Sequence, residues 1–144
     1  MFPSHDRNGP TYSSSDLGSI VFDGTDDYID LTQTIQFDTS DFSISGWFRS
    51  NSGNTSYKQI WNSGYSGGSP DVEIAVSQTN NRLVFYVRPP SPGLTATTTY
   101  SVDDNVWRYF TATKTSSAIS LYVNGSLVDS TSGSLTSDVD TTGS

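Results

Sequence analysis

The stretch "WRYFTATKTSSAISLYVNGSLVDS", residues 107–130, decides the fold. Its apolar residues recur every second position, the period of a strand with one face on a core. Two turn signals divide it. Ser116-Ser117 is a hydroxyl pair between two such runs, and Asn124-Gly125 is the strongest short hairpin signal, because both residues tolerate the left-handed backbone of a type I′ turn. Closing both turns predicts that Ala112 faces Leu121, Phe110 faces Val123 and Leu121 faces Val128. A slip of one residue would turn every one of these side chains outward, so the apolar pattern and the turns support one another.

Neighbouring segments give the same reading. In "DVEIAVSQTNNRLVFYVRPP" (71–90) a two-residue turn at Asn80-Asn81 predicts Val76 opposite Phe85 and Ile74 opposite Val87. The other face then carries Ala75 with Tyr86, and Glu73 with Arg88, before Pro89-Pro90 ends the pairing. In "SIVFDGTDDYIDL" (19–31) a loop "GTDD" predicts a hairpin with Phe22 opposite Ile29 and Ile20 opposite Leu31. "DFSISGWFRS", "KQIWNSG" and "TATTTYSV" supply further strands, with Phe42, Ile44 and Phe48 on one face of the first. About ten short strands exceed what one open sheet holds without splitting, so the fold class is all-β, a two-sheet antiparallel sandwich or jelly roll.

Composition bounds the function. The 144 residues suit one domain, and the chain has no cysteine, so disulfides, thiolate metal sites and thiol nucleophiles are excluded. The formal net charge is −8 with only 15% charged residues. Polarity rests on 26 Ser and 18 Thr, a surface that suits secreted or virion proteins. Seven Lys and Arg, scattered singly, offer no stripe for phosphates, which argues against nucleic acid. No run approaches a membrane helix, and "MFPSHDRNGP" has no signal-peptide core.

"SIVFDGTDDYIDL", "FSISGWFRS" and "VWRYFTATKTSSAISLYVNGSLV", in that order, resemble the laminin-G-like branch of the concanavalin A-like lectin/glucanase superfamily. The resemblance implies a jelly roll with one concave sheet over residues 18–130, with 1–17 as an irregular leader and 131–144 as a tail or incomplete closing segment. It further implies a carbohydrate- or protein-binding module of an extracellular or phage structural protein. Members continue past the last hairpin into a closing strand, whereas this chain ends at "TSDVDTTGS". A missing strand would leave an open sheet edge and invite a homodimer. The outward residues Trp107, Tyr109, Tyr122 and Leu127 are apolar enough that a cover is expected.

Two roles compete for "DGTDD". Asp23, Asp26 and Asp27 with nearby carbonyls offer the hard oxygens that calcium takes. Alternatively the aspartates cap loop amides and shape a turn, the reading we favour. The glucanases of the superfamily place paired glutamates on a strand, where retaining hydrolysis needs two carboxyl groups about 5 Å apart. Here Asp71 and Glu73 share a face, but Glu73 is the only glutamate of the chain. A surface ion pair with Arg88 is its expected role, and no enzyme is expected. His5, the single histidine, lies in the leader, so a Ser-His-Asp triad would need that leader folded into a site, and a solvated terminal histidine is expected instead.

Binding remains. Sugar recognition combines an aromatic face with fixed polar groups. Glu73, Tyr86 and Arg88 on the outward face of the 71–88 hairpin, with Trp61, Asn62 and Tyr65 from "WNSGYSGGSP", form the candidate site. The partners expected are a glycan or a cell-surface or virion component. The second reading is a structural or protein-interaction module that binds no sugar, and a glycoside hydrolase is third.

Overall fold

The alternation of apolar and hydroxyl residues builds ten strands in the computed structural model, which describes residues 9–15, 18–25, 27–31, 37, 39–51, 57–63, 71–88 and 93–135. They are β1 (Thr11–Ser13), β2 (Ser19–Val21), β3 (Phe42–Phe48), β4 (Lys58–Ser63), β5 (Val72–Val76), β6 (Leu83–Val87), β7 (Leu94–Thr97), β8 (Arg108–Lys114), β9 (Ala118–Val123) and β10 (Ser126–Ser132). The chain divides into two units, Met1–Gln33 and Thr34–Ser144.

The first unit holds β1 and β2, paired antiparallel with Tyr12 opposite Ile20. This corrects the hairpin expected between residues 19–22 and 28–31. Ile20 is paired with the segment before it, and residues 27–31 form no strand. Residues 11–13, expected within an irregular leader, form a strand instead, because "TYS" has the β-branched and aromatic residues that a short strand favours.

The second unit is a sandwich of two four-stranded antiparallel sheets, ordered β10-β9-β8-β3 and β4-β5-β6-β7. Their inner faces meet in one core. Val72, Ile74, Val76, Leu83, Phe85, Val87 and Ala96 come from one sheet, and Phe48, Phe110, Ala112, Ile119, Leu121 and Val123 from the other. Most are fully buried, and burying a side chain of this size is worth about 1.5–3 kcal/mol each. Gly46 makes room within this core, since a Cβ there would come within 3.3 Å of the Phe110 ring.

The registers expected for the last three strands hold in the main. Phe110 faces Val123 and Ala112 faces Leu121. Asn124 and Gly125 both take positive φ, 50° and 80°. The Asn124 side chain also accepts the Tyr109 amide at 3.0 Å, fixing the turn to β8. One detail differs, because a bulge at Val128 sets Asp129 rather than Val128 opposite Leu121.

The β5–β6 pairing is two residues out from the expected one: Ile74 faces Phe85, and Glu73 faces Tyr86. The reason lies in the turn. Asn81 takes φ 55° while Asn80 is not left-handed, and Ser77 accepts from Asn81 and donates to Arg82, closing a four-residue loop. A two-residue type I′ turn needs both central residues left-handed.

Buried charge is the feature that the alternation hides. Lys114 is 1% exposed on the inner side of β8, with its ammonium donating to the Thr39 and Ser40 carbonyls at 3.2 Å. Lys58 bonds Asp103 at 2.7 Å and the Asn51 carbonyl at 2.7 Å, and the Ser50 hydroxyl donates to the same carboxylate. Arg108 grips Asp104 with two nitrogens at 2.5 and 2.6 Å. Each of these groups is compensated, as burial of charge requires.

Candidate functional site

On the outer face of the β4–β7 sheet, register brings Asn62, Glu73, Tyr86 and Thr95 into one row across four strands. The next row holds Gln59, Ala75, Val84 and Thr97. Beyond the first row, Asp71 and Arg88 lie side by side. The Arg88 amide donates to the Asp71 carbonyl at 2.7 Å, and the side chains approach to 4.0 Å. Asp71, rather than Glu73, is therefore the carboxylate beside Arg88, a direct result of the two-residue change of register.

Glu73 is instead locked from β4 and the residue before it. Its two oxygens accept from the Tyr57 hydroxyl at 3.0 Å and the Gln59 amide at 2.8 Å, and Asn62 donates to Gln59 at 2.9 Å. Glu73 is 7% exposed, whereas Tyr57 keeps 44% of its surface in solvent. Burial, then the hydrogen bond to Glu73 and its charge, holds the Tyr57 phenol well above its ordinary range, so it stays a neutral donor. The carboxylate thus acts as an anchor that fixes the phenol and amide around it.

Tyr86 is positioned by its neighbours. A Cβ at Gly93 would come within 2.6 Å of both the Tyr86 phenol and the Val87 carbonyl, so only glycine allows the ring its place. Trp61 is on the other side of the sheet. It lies opposite Ile74, and its indole meets Phe37 edge-on at 5.5 Å beside the core. Tyr65 lies outside the described residues. Sequence reading thus passed over Tyr57, Gln59 and Gly93. The first two become neighbours of Glu73 only through pairing of β4 with β5, and Gly93 carried no signal beyond a turn in "SPG".

The acidic loop takes the form of a turn. Asp23 Oδ1 accepts the Thr25 amide at 2.7 Å, and Asp27 Oδ2 accepts the Asp23 amide at 2.8 Å, with Gly24 at φ 76°. Asp27 Oδ1 is buried without a hydrogen bond, and Asp26 lies outside the described residues. Among the described residues no three acidic or histidine side chains converge as a calcium site would need.

The opposite sheet carries a different outer face. Trp47 pairs with Tyr109, ring centres 5.4 Å apart, and Tyr122 lies beside Leu127. Tyr109, Tyr122 and Trp107 are half-buried, and Arg49 stacks over the Trp107 ring at 5.1 Å. Trp47 and Leu127 stay 66% and 56% exposed.

A family model of the Concanavalin A-like lectin/glucanases superfamily, of laminin G type, matches residues 23–144. The chain belongs to that family. Among solved structures it is similar to domains LG4-5 of the mouse laminin alpha1 chain, at 21% identity and a TM-score of 0.54. The match covers 74% of this chain but only 28% of the laminin chain, so the likeness is one of fold. No curated protein matches the chain. As the family implies, the architecture is a two-sheet antiparallel sandwich of jelly-roll type. No helix among the described residues is long and apolar enough to cross a membrane.

Proposed function

We propose that this laminin G-like domain is a non-catalytic binding module whose ligand face is the outer side of the β4–β7 sheet, and that its ligand is a glycan. The observation that carries the reading is the lock on Glu73. A buried carboxylate fixes a phenol and two amides in a row that Tyr86 extends, and Arg88 borders it. Preorganised donors beside an aromatic ring suit a hydroxyl-rich, weakly hydrophobic ligand. Tyr57, Asn62, Tyr86 and Arg88 contact the ligand, and Glu73 and Gln59 position them.

The same geometry weighs against hydrolysis. Asp71 precedes β5 and sits beside Arg88, and both oxygens of Glu73 are engaged as acceptors. Neither carboxyl is presented as a proton donor to a glycosidic oxygen. The setting we propose is extracellular, as an appended domain of a secreted or phage structural protein.

The test is a glycan-array screen of the domain with calcium and with EDTA, alongside Tyr86→Ala and Arg88→Ala. Binding lost in both variants and kept in EDTA supports the reading. Binding that survives both places the site elsewhere. Loss in EDTA alone restores a metal to the acidic loop. A folded protein that binds no glycan leaves the interaction-module reading, which the exposed Trp47 and Leu127 favour.

A further inference from the structure

The polar hydrogens around Glu73 run in one direction, toward it. A carboxylate only accepts, so the Gln59 nitrogen must face Glu73, at 2.8 Å. That turns the Gln59 carbonyl the other way, where it accepts from Asn62 at 2.9 Å. The Tyr57 hydroxyl gives its single hydrogen to the second oxygen of Glu73. Toward a ligand the phenol therefore offers a lone pair and no hydrogen. Each of the two amides keeps one N–H, and Asn62 keeps its carbonyl oxygen. Tyr57, Gln59 and Asn62 are exposed, whereas Glu73 is buried among them.

The ring of Tyr57 is placed as well. Tyr57 stands two residues before Gln59, which pairs with Ala75, yet its hydroxyl ends on Glu73. The side chain therefore runs along the sheet, across the row that holds Ala75. Ala75 is the smallest side chain of β5 and is 0% exposed, while Tyr57 keeps 44% of its surface in solvent. An aromatic ring laid along a sheet is a platform on which the C–H face of a sugar stacks.

Charge adds a second condition. The chain has seven Lys and Arg, and the loops at 64–70 and 89–92, which join these strands, contain none. Lys58 and Arg108 are committed to Asp103 and Asp104, and Lys114 is buried. Arg82 lies four positions from Tyr86, about 13 Å at the rise of a strand. Arg88 borders the row with Asp71 at its side.

Given the ligand face proposed above, on which this rests, we infer that its glycan is uncharged and that Glu73 sets the preference. A sugar hydroxyl both donates and accepts, so it satisfies the phenol oxygen and the amide N–H groups alike. A sulfate or carboxylate only accepts. It leaves the Tyr57 oxygen against another acceptor and draws near the charge of Glu73, with Asp71 close by. Glu73 is thus a positioning residue that selects without touching the ligand.

The test is an array of neutral glycans printed beside their sulfated and sialylated counterparts. The parent protein should bind the neutral members about tenfold more tightly, and high salt should not weaken that binding. Glu73→Gln removes the charge and lets a phenol or amide hydrogen turn outward. It should cut the preference about tenfold, with near-ultraviolet circular dichroism unchanged. Tyr57→Phe keeps the ring and should weaken neutral binding about three- to tenfold without improving anionic binding. A parent that prefers anionic members overturns the inference. If Tyr86→Ala abolishes that anionic binding, the ligand face stands and only its selectivity falls; if the binding survives, both fall. An unchanged preference in Glu73→Gln removes Glu73 from the selection. A folded protein that binds no member of the array removes the ligand face and the preference together.

Discussion

β5 and β3 are both alternating strands in the same sandwich, and they meet solvent differently. Every residue of β5 is buried, including the outward-facing Glu73 and Ala75 at 7% and 0% exposure. β3 buries only its inner face and leaves Ser43, Ser45 and Trp47 in solvent. The difference comes from position and cover. β5 is flanked by β4 and β6, and side chains from β4 lie over it, whereas β3 ends its sheet. Alternation in the sequence therefore reports which residues face the core, but not whether the other face is wet.

That contrast can be broken most directly at Ala75. Ala75→Lys places a charge on an outward position with no solvent, and should cost more than about 3 kcal/mol in urea unfolding. Ser45→Lys, the matching change on β3, should stay within about 0.5 kcal/mol in dilute protein. Equal effects would show that the outer side of β5 is open after all. Next in size is Gly93→Ala, which drives a methyl into Tyr86 and the Val87 carbonyl and should cost about 1–3 kcal/mol with a change in near-ultraviolet circular dichroism.

Glu73→Ala should cost about 1–2 kcal/mol, because Tyr57 and Gln59 lose their acceptor and only part of that loss is made good by water. The same variant should let the Tyr57 phenol ionise at lower pH in an absorbance titration. An unchanged titration would show that Glu73 does not hold it. Trp47→Thr, on the exposed side, removes only its pairing with Tyr109 and should cost about 0.2–1 kcal/mol.

The smallest effect is a matter of pH. The Arg108 hydrogen bonds outweigh the opposing effect of burial and, helped by the Arg108 charge, hold the Asp104 carboxyl below its ordinary value of 3.8. A carboxyl depressed in the folded state gives stability that is complete above its unfolded pKa and lost as pH falls through the folded one. Acid unfolding of Asp104→Asn should therefore be shallower below about pH 4 than that of the parent, with no difference in slope at neutral pH. Parallel acid limbs would remove the pair from the account.

The core was legible because apolar parity is a strong signal. Phe110, Ala112, Leu121 and Val123 could be placed on one face from their spacing, and Asn124-Gly125 supplied the register. Parity has a blind spot, though. A slip of two residues keeps every apolar side chain inside, so "DVEIAVSQTNNRLVFYV" fits two registers equally well, and only the backbone of Asn80 and Asn81 separates them. The candidate site inherited that error, since Glu73 meets Tyr86 in one register and Arg88 in the other. Tyr57 and Gln59 were invisible for a different reason: they reach Glu73 from another strand, across a bulge at Ile60. Nothing in the local pattern marks Lys114 as buried, because its partners are carbonyls of Thr39 and Ser40, far away in the chain.

The order of strands has a consequence in time. β4 to β7 and β8 to β10 are meanders, each strand laid beside the one before it, so their pairings close short loops and form early. β3 joins β8 only by bringing residues in the forties against residues above 107. Both meanders lie ready before that closure is made, and β3 is the last strand to arrive. By loop-closure length the slowest step of folding is then the docking of β3, and a chain caught before it offers β8 as a template to its neighbours. Aggregation during refolding should start there, and fall when β3 is tethered to β8.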